Sequence, residues 1–288
     1  MSSTAPDHTV PDDALAVTLE ALASEVARSA GRLVVDERPD AVEVATTKSS
    51  ATDVVTVMDQ RSQDHLIARL REARPDDAVL GEESGGASGT SGITWVIDPI
   101  DGTVNYLYGI PAYAVSVAAV VGDPNTPGAW RPFVGAVYNP VTAELYLARA
   151  GGGSRVVDAD GVEHQLSPTA CDELGQALVG TGFGYAAERR DRQGRLLLDL
   201  LPQIRDIRRI GSAALDLCAV GAGQLDAYYE TGLNPWDLAA GWLIATEAGA
   251  RVGGFDGPGA ELTWACTAGL DPVFPDLVEE GTQTHLRG

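Results

Sequence analysis

The run Trp95-Val96-Ile97-Asp98-Pro99-Ile100-Asp101-Gly102-Thr103 decides the reading of this chain. Thr94 to Ile97 reads as a short buried strand. Two carboxylates follow, three residues apart with a proline between them. Like charges held that close are costly unless a cation is shared or one carboxyl is protonated. A hard divalent cation with oxygen ligands meets the need, and Mg²⁺ typically takes one or two carboxylates together with phosphate oxygens. Gly102 and Thr103 then present backbone N–H groups at an expected helix start, which favours a phosphate oxygen. Read in isolation, the same run is also a turn capped by two aspartates.

Outward from this run, strands and helices alternate. Pro11, Asp12 and Asp13 open a first helix, with Leu15, Leu19, Leu22 and Val26 at helical spacing. A second helix runs from about Asp59 to Glu72, and Pro75 stops it. Ala78 to Leu80 and the alternating Tyr113, Val115 and Val117 read as strands. Phe133 to Tyr138 and Glu144 to Ala148 form a hairpin, and Gly151-Gly152-Gly153 marks a lobe junction or a wide turn. Further on, strands at Leu178 to Gly180, Asp206 to Ile210, Asp226 to Tyr229 and Arg251-Val252 enclose helices at about 187–201, 212–221 and 236–248. The alternation predicts a layered α/β (α+β) fold. One catalytic domain is expected over 14–288, with lobes of about 14–153 and 154–288 behind a flexible tail at 1–13.

More carboxylates gather where elements begin and end, which is where layered folds bind ligands. Glu82 and Glu83 follow the strand ending at Leu80, and Asp237 sits in the first turn of an apolar helix with Trp236, Leu238, Trp242 and Leu243. A carboxylate in apolar surroundings needs a cation or several donors. Taken singly, each has a plainer reading. Asp237 can complement the helix dipole, Glu82 and Glu83 can be a solvated loop, Asp53 and Asp59 a strand start and a helix cap, and Lys48 a surface charge.

The 288 residues carry a formal net charge of −21, which disfavours nucleic acid and anionic membrane as partners. An anionic phosphate would be repelled too, unless cations occupy its site. Lys48 is the only lysine. Cys171, Cys218 and Cys266 are widely spaced and form no CxxC pair, so no disulfide framework is expected. None of His8, His65, His164 and His285 belongs to a motif, and all four read as surface residues. With no leader-like N-terminus and no apolar run of spanning length, a cytoplasmic location is expected.

Taken in order, Lys48-Ser49-Ser50, Asp53-Val54-Val55-Thr56 with Asp59, Gly81-Glu82-Glu83, Asp98 to Thr103 and Pro235-Trp236-Asp237-Leu238-Ala239-Ala240-Gly241 resemble the inositol monophosphatase family. Gly211-Ser212-Ala213-Ala214 and Asp226 to Glu230 match as well, and Gly180 to Tyr185 is similar to bacterial SuhB-like members of actinobacterial type. The resemblance covers nearly the whole chain from about residue 14. It implies an α-β-α-β-α sandwich, a homodimer, and a Mg²⁺-dependent, lithium-sensitive phosphatase acting on a small phosphorylated polyol, inositol 1-phosphate foremost. It further implies two or three Mg²⁺ per site. Glu82, Asp98 and the Ile100 carbonyl would hold one, Asp98, Asp101 and Asp237 a second, and a weaker third would lie near Glu82. Gly102 and Thr103 would contact the phosphate, while Asp59 and Thr103, with Glu82, would orient and activate water. Ala213, Glu230 and Asp237 would meet the substrate hydroxyls, and Lys48 would lie on a mobile loop near the metals.

Two metals roughly 4 Å apart can clamp the attacking and leaving oxygens of an in-line displacement, and no Cys, His or Ser nucleophile is then required. The segment from about Gly151 to Gln176 matches the family only loosely, and it carries part of the lobe that shapes substrate choice. Histidinol phosphate, fructose 1,6-bisphosphate and 3′-phosphoadenosine nucleotides are therefore alternative substrates. A transcription-associated regulatory role of the SuhB-like kind is the non-enzymatic alternative, with Arg205, Arg208 and Arg209 as a docking patch or a solvated junction. A haloacid-dehalogenase-type phosphatase is rejected. Its two aspartates are separated by one intervening residue rather than by two, and no lysine follows Lys48.

Overall fold

The computed structural model describes residues 11–39, 42, 44–47, 54–83, 87–259 and 261–287. Lys48 and Asp53 lie outside the described residues, as do residues 1–10 of the expected tail. The first helix begins at the expected opening of Pro11, Asp12 and Asp13. Asp12 is the N-cap of α1 (Asp13–Asp36), its carboxylate accepting the Leu15 N–H at 2.9 Å.

From the N-terminus, β1 (Val44–Thr47) and β2 (Val54–Thr56) pair antiparallel and lead into α2 (Val57–Ala73). The chain continues through β3 (Ala78–Gly81), β4 (Ile93–Asp101), α3 (Thr103–Tyr108), β5 (Ala114–Gly122), β6 (Trp130–Asn139), β7 (Glu144–Arg149), β8 (Ser154–Val157) and β9 (Glu163–Gln165). Among the described residues, β3 to β9 form a seven-stranded sheet in sequence order, with β3 parallel to β4 and the rest antiparallel. The sheet thus continues past Gly153 to Gln165, with Gly151-Gly152-Gly153 at the turn between β7 and β8.

The second half supplies β10 (Leu178–Thr181), α4 (Ala187–Leu200), β11 (Asp206–Arg208), α5 (Ala213–Gly221), β12 (Ala227–Glu230), α6 (Pro235–Ala248), β13 (Arg251–Gly253), β14 (Thr263–Cys266) and α7 (Val273–His285). Its sheet runs β11-β10-β12-β14-β13, parallel among the first three strands and antiparallel beyond.

Burial assigns the layers. On one face of the large sheet, Trp95, Ile97, Val117 and Phe133 pack against Leu19, Ala23 and Val26 of α1 and Leu66 and Leu70 of α2. On its other face, Val96, Ala118 and Val137 pack against α5 and α6 through Leu217, Ala240 and Ile244, and the same cluster takes in Tyr228 and Ala265 of the small sheet. The far face of the small sheet, with Val179, Ala227 and Tyr229, is covered by Leu196 of α4 and Phe274 and Val278 of α7. This is the α-β-α-β-α sandwich. Strands buried on both faces have no polar side to show, which is why β4 and β5 read as continuous apolar runs. Close helix–sheet contact requires Gly135, where an added Cβ would stand 2.9 Å from the Ala240 carbonyl oxygen.

The strand expected over Thr94 to Ile97 is longer, and Asp98 and Asp101 lie inside β4 rather than after it. Its pairing with β5 shifts register between these two residues. Pro99 has no N–H to offer a ladder, and the Ile100 N–H is taken by Asp98 Oδ1 at 2.9 Å. The strand therefore carries on as a bulge that turns both carboxylates towards one cavity.

Candidate active site

Three elements bring the carboxylates together. Asp98 and Asp101 come from the bulged end of β4, and Asp237 from the first turn of α6. One oxygen from each lies within 4.8 Å of the others. Each carboxylate is oriented by a local bond. Asp237 Oδ2 accepts the Asn234 N–H at 2.6 Å in a capping box. Asp101 Oδ2 accepts the Ser212 hydroxyl at 2.6 Å and the Ala214 N–H at 2.7 Å, which ties β4 to the start of α5. Glu82, just beyond β3, lines the same cavity, whose volume is about 600 Å³.

So much buried negative charge cannot ionise fully without a cation. Burial, then Glu82, Asp101 and Asp237, push the Asp98 carboxyl well above the usual carboxylate range. Burial and then Glu82 do the same to Asp237. Asp101 is pushed up to about 6, mainly by burial and against the pull of its Ser212 and Ala214 bonds. These are hard oxygen donors held within reach of one another. They fit a hard divalent ion, whose charge would return all three to the ionised form.

Asp59 stands beside this cluster. Thr56 caps α2, and Asp59 closes the reciprocal capping box by accepting the Thr56 N–H at 2.7 Å and its hydroxyl at 2.5 Å. The other oxygen, Oδ1, lies 3.0 Å from the Thr103 hydroxyl, which is also 3.1 Å from the Ile100 carbonyl oxygen. Asp59 is fully buried, and burial raises its carboxyl above its ordinary value. Thr103 lines the cavity and Asp59 does not, so the hydroxyl links the carboxylate to the open space. Gly102 adopts φ +100° and precedes the six-residue α3, and an added Cβ there would lie 3.0 Å from the Ala112 carbonyl oxygen.

Ala213 and Glu230 also line the cavity, on the side of the small sheet. Glu230 Oε2 accepts the Tyr228 hydroxyl at 2.7 Å, and burial pushes its carboxyl up to about 7. Gly182 is pressed so closely against this carboxylate that no side chain would fit there. The cavity therefore gathers every expected site residue except Asp59, which reaches it through Thr103, and Lys48, which is not described.

Several residues of this cavity were not legible as site residues. Arg189 and Arg209 line it, as do Phe183 and Tyr185. Arg209 was grouped with Arg205 and Arg208 as a basic patch, but the structure separates them. Arg205 donates to the Gln176 carbonyl at 2.8 Å and Arg208 pairs with Asp206 at 2.7 Å, whereas Arg209 faces the cavity. No sequence signal says which way an arginine in such a run will turn. The histidines read as surface residues hold up for His164, which is exposed and pairs with Asp158. His65 is half-buried against Ser29, and His285 is half-buried against Asp199.

A two-sheet sandwich with a carboxylate cluster at the ends of its strands and helices defines a metal-dependent class of phosphatase. The model of the inositol monophosphatase family matches residues 16–277. Inositol-1-monophosphatase SuhB of Mycobacterium tuberculosis is 52% identical over 210 residues, covering 71% of this chain and 70% of that protein. The Nus factor SuhB of Escherichia coli is 36% identical over 240 residues, covering 82% and 85%. Among solved structures, Mycobacterium tuberculosis SuhB superposes with a TM-score of 0.77 at 42% identity, over 92% of this chain and 97% of that one. The Thermotoga maritima IMPase gives 0.77 at 27% identity, over 95% and 99%. The chain belongs to the inositol monophosphatase family and is a phosphoric monoester hydrolase.

Proposed function

We propose that this chain is a Mg²⁺-dependent inositol-1-monophosphatase, releasing inositol and phosphate from inositol 1-phosphate. The observation that carries the proposal is the buried triad Asp98, Asp101 and Asp237, with oxygens within 4.8 Å of one another, opening on the cavity that Thr103 and Glu230 share. The triad, Glu82 and the Ile100 carbonyl would hold two Mg²⁺, with a weaker third near Glu82. When bound, Mg²⁺ neutralises phosphate charge and lowers the pKa of a coordinated water.

The rest falls to this chain's own groups. Gly102 and Thr103 offer backbone N–H groups to the phosphate. The Thr103 hydroxyl donates to Asp59 Oδ1 and presents its lone pairs to the attacking water. Asp59 Oδ1 then receives the proton relayed through Thr103 Oγ1, and its raised pKa makes it a better base near neutral pH. Glu82, which lines the same cavity, would help orient the attacking water. Glu230 and the Ala213 backbone take the polyol hydroxyls, and Asp237 borders that side. Lithium inhibition, a homodimer and a cytoplasmic location complete the proposal. It is consistent with the last of these that, among the described residues, no helix is long and apolar enough to cross a membrane.

Phosphate release from inositol 1-phosphate, histidinol phosphate, fructose 1,6-bisphosphate and 3′-phosphoadenosine 5′-phosphate tests the substrate. Inositol 1-phosphate should lead the series in Mg²⁺. Another ester in the lead would keep the phosphatase and reassign its substrate. A second, transcription-associated role is favoured by the relatives named Nus factor SuhB. Pull-down with the exposed Arg208 intact and as Arg208→Glu tests it, and identical recovery of partners would rule out that patch.

A further inference from the structure

The buried face of α2 changes character along its length. Leu66 and Leu70 pack into the core, as the inward stripe of an amphipathic helix should. Asp59, Ser62 and Gln63 lie on the same stripe nearer the N-terminus, and all three are fully buried yet polar. A buried polar group is costly unless it is hydrogen-bonded, so each needs a partner. The partners belong to the segments that carry the carboxylates. Asp59 Oδ1 accepts the Thr103 hydroxyl at 3.0 Å. The Ser62 hydroxyl donates to the Pro99 carbonyl at 3.0 Å, between Asp98 and Ile100. Gln63 Oε1 accepts the Glu83 N–H at 2.9 Å, one residue past Glu82.

The Ser62 and Gln63 bonds both reach backbone that has left its regular ladder. The pairing of β4 with β5 shifts between Asp98 and Asp101, and a bulge leaves backbone groups without a strand partner. Glu82 and Glu83 follow Gly81, the last residue of β3. Gly81 also gives the amide its room, since an added Cβ would stand 2.5 Å from Gln63 Oε1 and 2.7 Å from its Cδ. Apolar side chains at 62 and 63 would continue the stripe of Leu66 and Leu70, so core packing alone asks for neither a hydroxyl nor an amide here. The place of Glu82 matters to the whole cluster. After burial, Glu82 is the foremost charge raising both the Asp98 and the Asp237 carboxyls.

We infer that Ser62 and Gln63 are positioning residues for the metal site, Ser62 by fixing the bulge from Asp98 to Ile100 and Gln63 by fixing the backbone that carries Glu82. The inference rests on the reading of Glu82, Asp98 and the Ile100 carbonyl as metal donors, and extends it to side chains that would touch no metal. Through these bonds α2 holds the donors and Asp59 in one frame. Groups that orient metal ligands in this way change metal affinity by about 10- to 100-fold when removed. A brace that served the fold alone would cost stability and leave the affinity as it was.

The test follows the melting temperature of the full chain as Mg²⁺ is titrated from a metal-free start, in parallel with phosphate release from inositol 1-phosphate. Gln63→Leu keeps the bulk of the side chain and removes the acceptor. It should raise the Mg²⁺ midpoint of both curves at least about tenfold, with kcat at saturating Mg²⁺ changing less than the midpoint. Gln63→Glu keeps an oxygen for the Glu83 N–H and should bring the midpoint back towards the wild type. Ser62→Ala, the smaller change, should raise the midpoint as well, and it decides the question if Gln63→Leu does not fold. Unchanged midpoints with only the metal-free melting temperature lowered, or a midpoint in Gln63→Glu as high as in Gln63→Leu, would overturn the inference and leave the metal site standing. A wild type whose melting temperature and turnover both ignore Mg²⁺ would overturn the metal reading with it.

Discussion

Asp98 is fully buried, and after burial itself Glu82, Asp101, Asp237 and Asp59 all act to raise its carboxyl. On the proposed assignment, replacing it by Asn removes a repelled charge and a metal ligand together. Asp98→Asn should lower phosphate release by about 10²-fold or more, while raising the melting temperature in EDTA, since the remaining carboxylates repel less. A folded variant with near-normal turnover would contradict the assignment. In the proposed mechanism Thr103 positions water without holding metal. Thr103→Ala should lower kcat about 10²-fold with the Mg²⁺ concentration for half-maximal activity nearly unchanged. A shift in the Mg²⁺ requirement as large as the loss in kcat would place Thr103 among the ligands instead. At this scale the sequence was most informative where the chemistry is local. Asp98, Asp101 and Gly102 sit in one run, so their proximity is guaranteed by the chain. Arg189 was silent because its partner surface, Gly232, lies more than 40 residues away.

Elements set the spacing of the cluster. Asp101 is tied to the start of α5 through Ser212 and Ala214, and Asp237 rides on the first turn of α6. The distance between these carboxylates is thus governed by how closely α5 and α6 pack. Gly241 controls that contact, since an added Cβ would stand 2.7 Å from Leu217 Cβ. Gly241→Val should cost about 1–3 kcal/mol in urea unfolding and raise the Mg²⁺ needed for half-maximal activity about 10-fold. Lost stability with an unchanged Mg²⁺ requirement would uncouple the packing from the site. The helices and strands named from sequence recur within a few residues, because each carries its own period and stop signal. Two elements beyond Val252 gave no such signal. Thr263 to Cys266 is only four residues long. In α7, Pro275 and Gly281 obscure a helical series of Phe274, Val278 and Thr282. Pro275 is tolerated because it falls in the first turn.

The whole molecule holds more buried acid than the cluster uses. Asp216 of α5 is 1% exposed, its Oδ1 has no hydrogen-bond partner, and burial followed by Glu230 and Asp101 pushes its carboxyl well above its ordinary value. A raised folded-state pKa means that the native protein keeps a proton which the unfolded chain releases above about pH 3.8. Asp216 therefore favours the folded state fully only below that pH, and stability declines as pH rises towards the folded pKa, by up to about 1.4 kcal/mol per pH unit. Asp216→Asn mimics the protonated form. Its melting temperature should match the wild type at pH 4 and exceed it at pH 7.5, and parallel curves would show that Asp216 does not titrate with folding. The layered architecture was legible because apolar strands and amphipathic helices alternate. That Arg189 and Arg209 face one cavity was not legible, because α4 and the segment just past β11 come together only in the folded chain.

The most direct measurement is phosphate release from inositol 1-phosphate by the wild type, Asp98→Asn and Asp237→Asn, each in Mg²⁺ and in EDTA, with folding checked by circular dichroism. Turnover by the wild type in Mg²⁺ alone, lost in EDTA and in both folded variants, is the predicted result. Turnover that persists in EDTA, or in both variants at the wild-type rate, would contradict catalysis by a metal held at the Asp98, Asp101 and Asp237 cluster.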